Sequence, residues 1–128
     1  MSAPPRKTRV VIAEDHPSVA AALKRLIGTH FDIVAEVADG QAAVDVATRL
    51  RPDVMILDLW LPKIDGLEAC RRVRRDELEI KLIVMSADVC PELIEESRRL
   101  GISAVVSKIE MHDALIAAID AAVLPTPT

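Results

Sequence analysis

Apolar and polar positions alternate along this chain in two rhythms. Short runs rich in β-branched residues recur at Arg9-Val10-Val11-Ile12-Ala13, Phe31-Asp32-Ile33-Val34-Ala35-Glu36-Val37, Val54-Met55-Ile56-Leu57, Leu82-Ile83-Val84-Met85 and Ala104-Val105-Val106. Most are continuously apolar, as in strands buried on both faces of a parallel sheet. Between them the spacing turns helical. Val19, Ala22, Leu23, Leu26 and Ile27 make one stripe, and Ala43, Val44, Val46, Ala47 and Leu50 a second. Leu67, Cys70, Val73 and Arg74 begin a third, Leu93, Ile94, Ser97 and Leu100 a fourth, and Ala114, Leu115, Ala118, Ile119 and Ala122 a fifth. Pro17 and Pro91 suit helix starts, Asp39-Gly40 and Asp65-Gly66 precede two others, and Gly101 suits a helix end. Strand followed by helix, five times over, predicts a doubly wound α/β domain with a five-stranded parallel sheet and right-handed crossovers.

Composition narrows the function classes. The 128 residues suffice for one domain around one core, and 51% hydrophobic with 28% charged residues marks a globular chain. The net charge is -4 and no basic block stands out, which argues against nucleic-acid binding by this chain alone. Phe31 and Trp60 are the only aromatics, too few for a base-stacking platform. Cys70 and Cys90 make neither a disulfide framework nor a metal site, and a reduced, cytoplasmic setting is expected. No signal peptide and no bilayer-length apolar run is present, so no membrane partner is expected. Residues 1–7 read as a flexible N-terminal segment and 8–124 as the domain. Residues 125–128 (Pro-Thr-Pro-Thr) read as the start of an extended linker, leading to the chain's end or to a further domain.

The chemistry lies at the strand exits. The first strand runs into Glu14-Asp15, the third into Asp58, the fourth into Ser86 and the fifth into Ser107-Lys108. In a parallel sheet all these exits share one edge, where ligands of open α/β folds bind. Three carboxylates in one crevice repel unless one takes a proton or a cation sits among them. An all-oxygen set with room for water suits Mg2+, with Asp15, Asp58 and a backbone carbonyl after Asp58 as ligands. Alternatively Glu14 and Asp15 cap the following helix, Lys108 is a solvated surface lysine, and Ser86 caps the fourth helix. Taken together, a metal, an ammonium and a hydroxyl around Asp58 would clamp a tetrahedral dianion, with Asp58 as nucleophile forming an acyl phosphate.

The segments Ala13-Glu14-Asp15-His16-Pro17, Asp58-Leu59-Trp60-Leu61-Pro62-Lys63-Ile64-Asp65-Gly66, Ser86-Ala87 and Lys108 closely resemble response-regulator receiver domains of two-component signalling. The resemblance runs from Thr8 to Leu124 and is strongest to the NarL/FixJ-type branch, whose receivers usually precede a helix-turn-helix DNA-binding domain. It implies a flavodoxin/CheY-like strand order of 2-1-3-4-5. It implies that Asp58 takes phosphate from a sensor histidine kinase. Asp15, Asp58 and the Trp60 carbonyl would bind Mg2+, with Glu14 reaching the ion directly or through water. Ser86 and Ala87 would meet the phosphoryl group at the switch, and Lys108 would pair with it. A homodimer on phosphorylation, and DNA contact only through an output domain, are further implications.

The chain also departs from that pattern. Val105 stands where the family often has Tyr or Phe, so the aromatic half of the switch is missing. Ile109 stands where many receivers have a cis proline; a cis bond before a non-proline residue costs roughly 3 kcal/mol, so trans is expected. Trp60 reads either as a ring limiting access to the phosphate site or as a partly exposed surface residue. His16 reads as a residue at the start of a helix rather than a base, Cys70 as a helix residue, and Cys90 as a loop thiol. Arg71, Arg72, Arg74 and Arg75 read as a solvated basic face or a docking patch for an acidic partner.

Three rivals fit less well. An aspartyl hydrolase would want an acid where Trp60 stands. A flavin module would want a phosphate-binding loop where Glu14-Asp15-His16 stands. A stand-alone or atypical receiver, acting as an interaction module with little or no phosphorylation, is kept open by Val105.

Overall fold

In a computed structural model, described over residues 7–124, the alternation read from the pattern becomes β1 (Arg9–Ala13), α1 (Pro17–Ile27), β2 (Asp32–Val37), α2 (Gly40–Leu50) and β3 (Val54–Asp58). α3 (Gly66–Arg75), β4 (Lys81–Ser86), α4 (Pro91–Arg99), β5 (Ala104–Ser107) and α5 (Met111–Val123) follow. The expected linker start at 125–128, and all but Lys7 of the expected N-terminal segment, lie outside the described residues. All strand pairings are parallel, in the order β2-β1-β3-β4-β5.

Successive strand residues face opposite sides of a sheet, so each apolar run feeds two cores. Val11, Ala13, Met55, Leu57, Leu82 and Val84 pack with Ala43 and Ala47 of α2 and with Ala69, Cys70 and Val73 of α3. Val10, Ile12, Val54, Ile56, Ile83 and Met85 pack on the other side with Leu23 and Ile27 of α1 and Leu115 and Ile119 of α5. Both faces of the sheet are covered by apolar side chains, which is why β1, β3 and β4 carry no alternating polar face. Burial also pushes the Cys70 thiol up to about 12, leaving it an inert core group.

The end signals act through identifiable bonds. The carboxylates of Asp39 and Asp65 accept from the backbone N–H of Ala42 (2.7 Å) and Glu68 (2.8 Å) as N-caps. Pro17 and Pro91 open α1 and α4. Gly101, at φ +67°, closes α4: its N–H reaches Arg98 O, and Ile102 N–H reaches Ser97 O.

Two helices differ from their stripes. In α4, Leu93 and Ser97 are buried while Ile94 is exposed. In α3, Arg74 occupies an inward position because its guanidinium donates to the carbonyls of Leu78, Ile80, Leu100 and Gly101. A cation that satisfies backbone oxygens there joins the end of α3 to the turns flanking β4 and α4.

Candidate functional site

Asp58 is the last residue of β3 and is 2% exposed. The chain turns at once: Leu59 N–H donates to Met85 O (2.8 Å) and Gly66 N–H to Leu59 O (2.8 Å). A Cβ at Gly66 would overlap the carbonyl oxygen of Asp58, so only glycine lets α3 start this close to the strand end. Asp58 Oδ1 accepts from the Trp60 backbone N–H at 3.3 Å, and Oδ2 accepts from Lys108 Nζ at 2.8 Å.

Glu14 and Asp15 leave β1 beside it. Glu14 N–H is anchored on Val37 O (3.0 Å) and its side chain is buried. Glu14 Oε1 accepts from the backbone N–H and the Nδ1 of His16, both at 3.2 Å. Glu14 Oε2 and Asp15 Oδ1 are buried and accept no hydrogen bond; Lys108 Nζ stands 3.4 Å from the first, and His16 Nδ1 stands 3.4 Å from the second. His16 occupies the cap position of α1 without a side-chain cap bond, so Glu14 and Asp15 turn into the crevice rather than onto the helix.

Lys108 is drawn in by the same charges rather than lying in solvent. Its backbone N–H donates to Ser86 O (2.8 Å), which ties the β5 exit to the β4 exit. Burial would push its ammonium down, but the hydrogen bond and charge of Asp58, with Glu14 behind, hold it above the ordinary lysine value. Burial moves Glu14 the other way for an acid: it raises the carboxyl above its usual range, with the His16 N–H partly opposing and the Asp58 charge adding to the rise.

Ser86 is buried at the end of β4, but its hydroxyl serves its own loop. It donates to Asp88 O (2.8 Å) and accepts from Asp88 N–H (3.1 Å). It does not cap α4, whose cap residue is Cys90, without a side-chain bond. Ala87 follows, exposed. Val105 pairs with Val84 in the β4–β5 ladder as a half-buried strand residue. Trp60 is 70% exposed. Ile109 is 86% exposed, and no cis peptide occurs among the described residues, as expected for Lys108-Ile109. Arg71 and Arg72 are engaged with Glu68, Glu96 and Gln41 rather than forming an unpaired basic face.

One donor atom from each of Glu14, Asp15, His16 and Asp58 lies within 4.8 Å of the others. Three carboxylates thus cluster together, Lys108 reaches two of them, Glu14 and Asp58, and two buried oxygens of the cluster lack a hydrogen bond. Buried acceptors of this kind are costly unless a cation takes them up, so the donor set fits a hard divalent ion such as Mg2+. His16 is the member that sequence reasoning left outside; its adjacency to two acids was the available signal.

Comparison with known proteins identifies the family and the fold. The family model described as "Response regulator receiver domain" matches residues 10–120. The DNA-binding transcriptional activator EvgA of Escherichia coli K12 is 32% identical over 113 residues, covering 88% of this chain and 55% of the relative. The chain spans about half the length of the curated relatives it matches. A LuxR-family DNA-binding response regulator from Staphylococcus aureus superposes with a TM-score of 0.84 at 30% identity, covering 90% of this chain and 98% of that one. The response regulator domain of Thermotoga maritima CheB, at 24% identity, shares the fold with a TM-score of 0.86 over 95% of this chain and 100% of its own. No helix of the described residues is long and apolar enough to cross a membrane. With the 2-1-3-4-5 sheet and the acidic crevice at its exits, the chain belongs to the response regulator receiver domain family, and its homologues are response regulators of the NarL/LuxR type.

Proposed function

We propose that this domain is a phosphoacceptor switch in which Asp58 receives a phosphoryl group from a sensor histidine kinase. The observation that carries the reading is the 2.8 Å contact of Lys108 Nζ with Asp58 Oδ2, beside two buried carboxylate oxygens that take no hydrogen bond. An oxygen of the Asp58 carboxylate attacks the phosphorus of a phosphohistidine. The N–P bond breaks, its electron pair returns to the imidazole, and an acyl phosphate remains on Asp58. Glu14, Asp15, Asp58 and the Trp60 carbonyl would hold Mg2+. When bound, Mg2+ supplies charge neutralisation at the phosphoryl oxygens. Lys108 pairs with the incoming dianion. Ser86 exchanges its bond to Asp88 O for one to a phosphoryl oxygen, with the Ala87 backbone beside it, and the β4–α4 loop is redrawn. With Val105 in place of a ring, that loop transmits the change.

The relatives named as DNA-binding regulators support a DNA-binding output; that it is a helix-turn-helix segment, that phosphorylation brings homodimerisation, and that the protein works in the cytoplasm are parts of the same proposal. Residues 8–124 would form the switching unit, and its catalysis would be confined to its own phosphorylation and slow dephosphorylation. The second reading, an interaction module without phosphorylation, is favoured only by Val105. Mass spectrometry after incubation with Mg2+ and a small phosphodonor separates them. The phosphoacceptor gains the mass of one phosphoryl group and Asp58→Asn does not. No gain on the native chain sinks the proposal, and a gain that survives Asp58→Asn moves the acceptor elsewhere.

A further inference from the structure

The imidazole of His16 is placed oddly for a residue at a helix start. It caps no amide of α1, and Nδ1 turns toward the crevice, 3.2 Å from Glu14 Oε1 and 3.4 Å from Asp15 Oδ1. Adjacent donors of a six-coordinate ion with bonds of about 2.1 Å lie about 3 Å apart, so these separations need only small adjustments around a shared ion. The Glu14 side chain is fully buried, and its Oε2, like Asp15 Oδ1, accepts no hydrogen bond. The imidazole itself is 66% exposed, so it forms the solvent side of the cluster.

We propose that His16 Nδ1 is a direct ligand in this cluster, which makes the site one for an imidazole-accepting first-row ion such as Co2+ as well as for Mg2+. The inference rests on the metal-site part of the reading above. Mg2+ prefers oxygen donors and gains little from an imidazole. Transition ions accept imidazole readily, and mixed oxygen–nitrogen sets favour them. Without an ion, Nδ1–H donates to Glu14 Oε1. For ligation the ring proton resides on Nε2, on the solvent side, and the Nδ1 lone pair faces the metal. Glu14 Oε1 then exchanges that hydrogen bond for the metal's charge.

The test compares the native domain with His16→Ala and His16→Asn, each titrated with Mg2+ and with Co2+. Fluorescence of Trp60, the sole tryptophan, reports binding, and the visible Co2+ spectrum reports donor type. Asn suits a helix start and can still donate to Glu14, but it is a poor nitrogen ligand. Both variants should lose about tenfold or more in Co2+ affinity, hold Mg2+ affinity within about twofold, and shift the Co2+ spectrum toward an all-oxygen set. Recovery of Co2+ affinity in His16→Asn overturns the proposal, since His16 would then only position Glu14. Equal losses for both ions, or an unchanged Co2+ spectrum, also overturn it, while Mg2+ binding by the native domain would still support the metal part of the phosphoacceptor reading. A native domain that binds neither ion overturns this inference together with the metal part of the phosphoacceptor reading.

Discussion

The turns after β3 and after β4 both leave a strand whose last residue is assigned to the proposed site, yet they are built differently. After Asp58, the start of α3 lies against the strand's own carbonyl at Gly66, Asp65 caps the helix, and Ala69, Cys70 and Val73 are buried in the core. Arg74 then joins the far end of α3 to four carbonyls. After Ser86, Ala87, Asp88 and Val89 are exposed, the cap residue Cys90 makes no side-chain bond, and α4 buries only Leu93 and Ser97. The Ser97 hydroxyl is buried without a hydrogen bond. On the proposed reading the acceptor would stand on the stiff turn and Ser86 on the soft one. New charge at Asp58 would meet little freedom around itself and more around Ser86, which would direct a rearrangement into the β4–α4 loop and α4.

The contrast can be broken by attacking the stiff turn. Gly66→Ala drives a methyl into the Asp58 carbonyl and should cost about 2–3 kcal/mol in urea unfolding, as overpacked cores do. An Ala87→Gly change in the soft turn should stay near about 0.5 kcal/mol, and similar losses for the two would dissolve the distinction.

Next in size is the charge on the crevice. The folded pKa of Glu14 is raised, chiefly by burial, so folding favours its protonated form. That contribution is full below the ordinary glutamate range and is lost as pH rises through the folded value. Metal-free Glu14→Gln should therefore melt higher than the native domain at pH 7, with the gap closing as pH falls through the raised folded value and gone below about 4.5. Added Mg2+ should narrow it from the other side, by stabilising the native protein more. A variant that melts lower at pH 7 would show Glu14 to be structurally paired rather than held for a cation.

Loss of the α3 cap in Asp65→Ala should cost about 1 kcal/mol by chemical denaturation. The smallest expected effect sharpens the comparison from the soft side. Cys90→Ser supplies α4 with a capping hydroxyl and should add about 0.5 kcal/mol, visible as slower hydrogen exchange confined to α4. Exchange that slows equally in α3 would mean that the two helices open together.

The unevenness of the two turns also shows where reading the chain succeeds. Asp58 was legible because an acid ending the run Val54-Met55-Ile56-Leu57 is conspicuous, and Glu14-Asp15 stood out for the same reason. Gly66 was legible only as a helix-start signal; its closeness to the Asp58 carbonyl depends on the angle at which α3 leaves the strand. Arg74 read as one member of a basic run or an apolar stripe, since nothing local reveals that four carbonyls converge on it.

Strand and helix identity and the residues that line the two cores follow from short continuously apolar runs and a 3.6-residue period, and the acids, serine and lysine stand where those runs end; all are properties of neighbouring positions. Which oxygen meets which donor is not. Lys108 reaches Asp58 from β5 across the width of β4, Ser86 spends its hydroxyl on Asp88, and His16 turns from the helix it precedes toward Glu14 and Asp15. Those contacts join residues far apart in sequence or depend on side-chain direction, and both are settled only when the strands take their places and burial sets the cost of each unpaired charge.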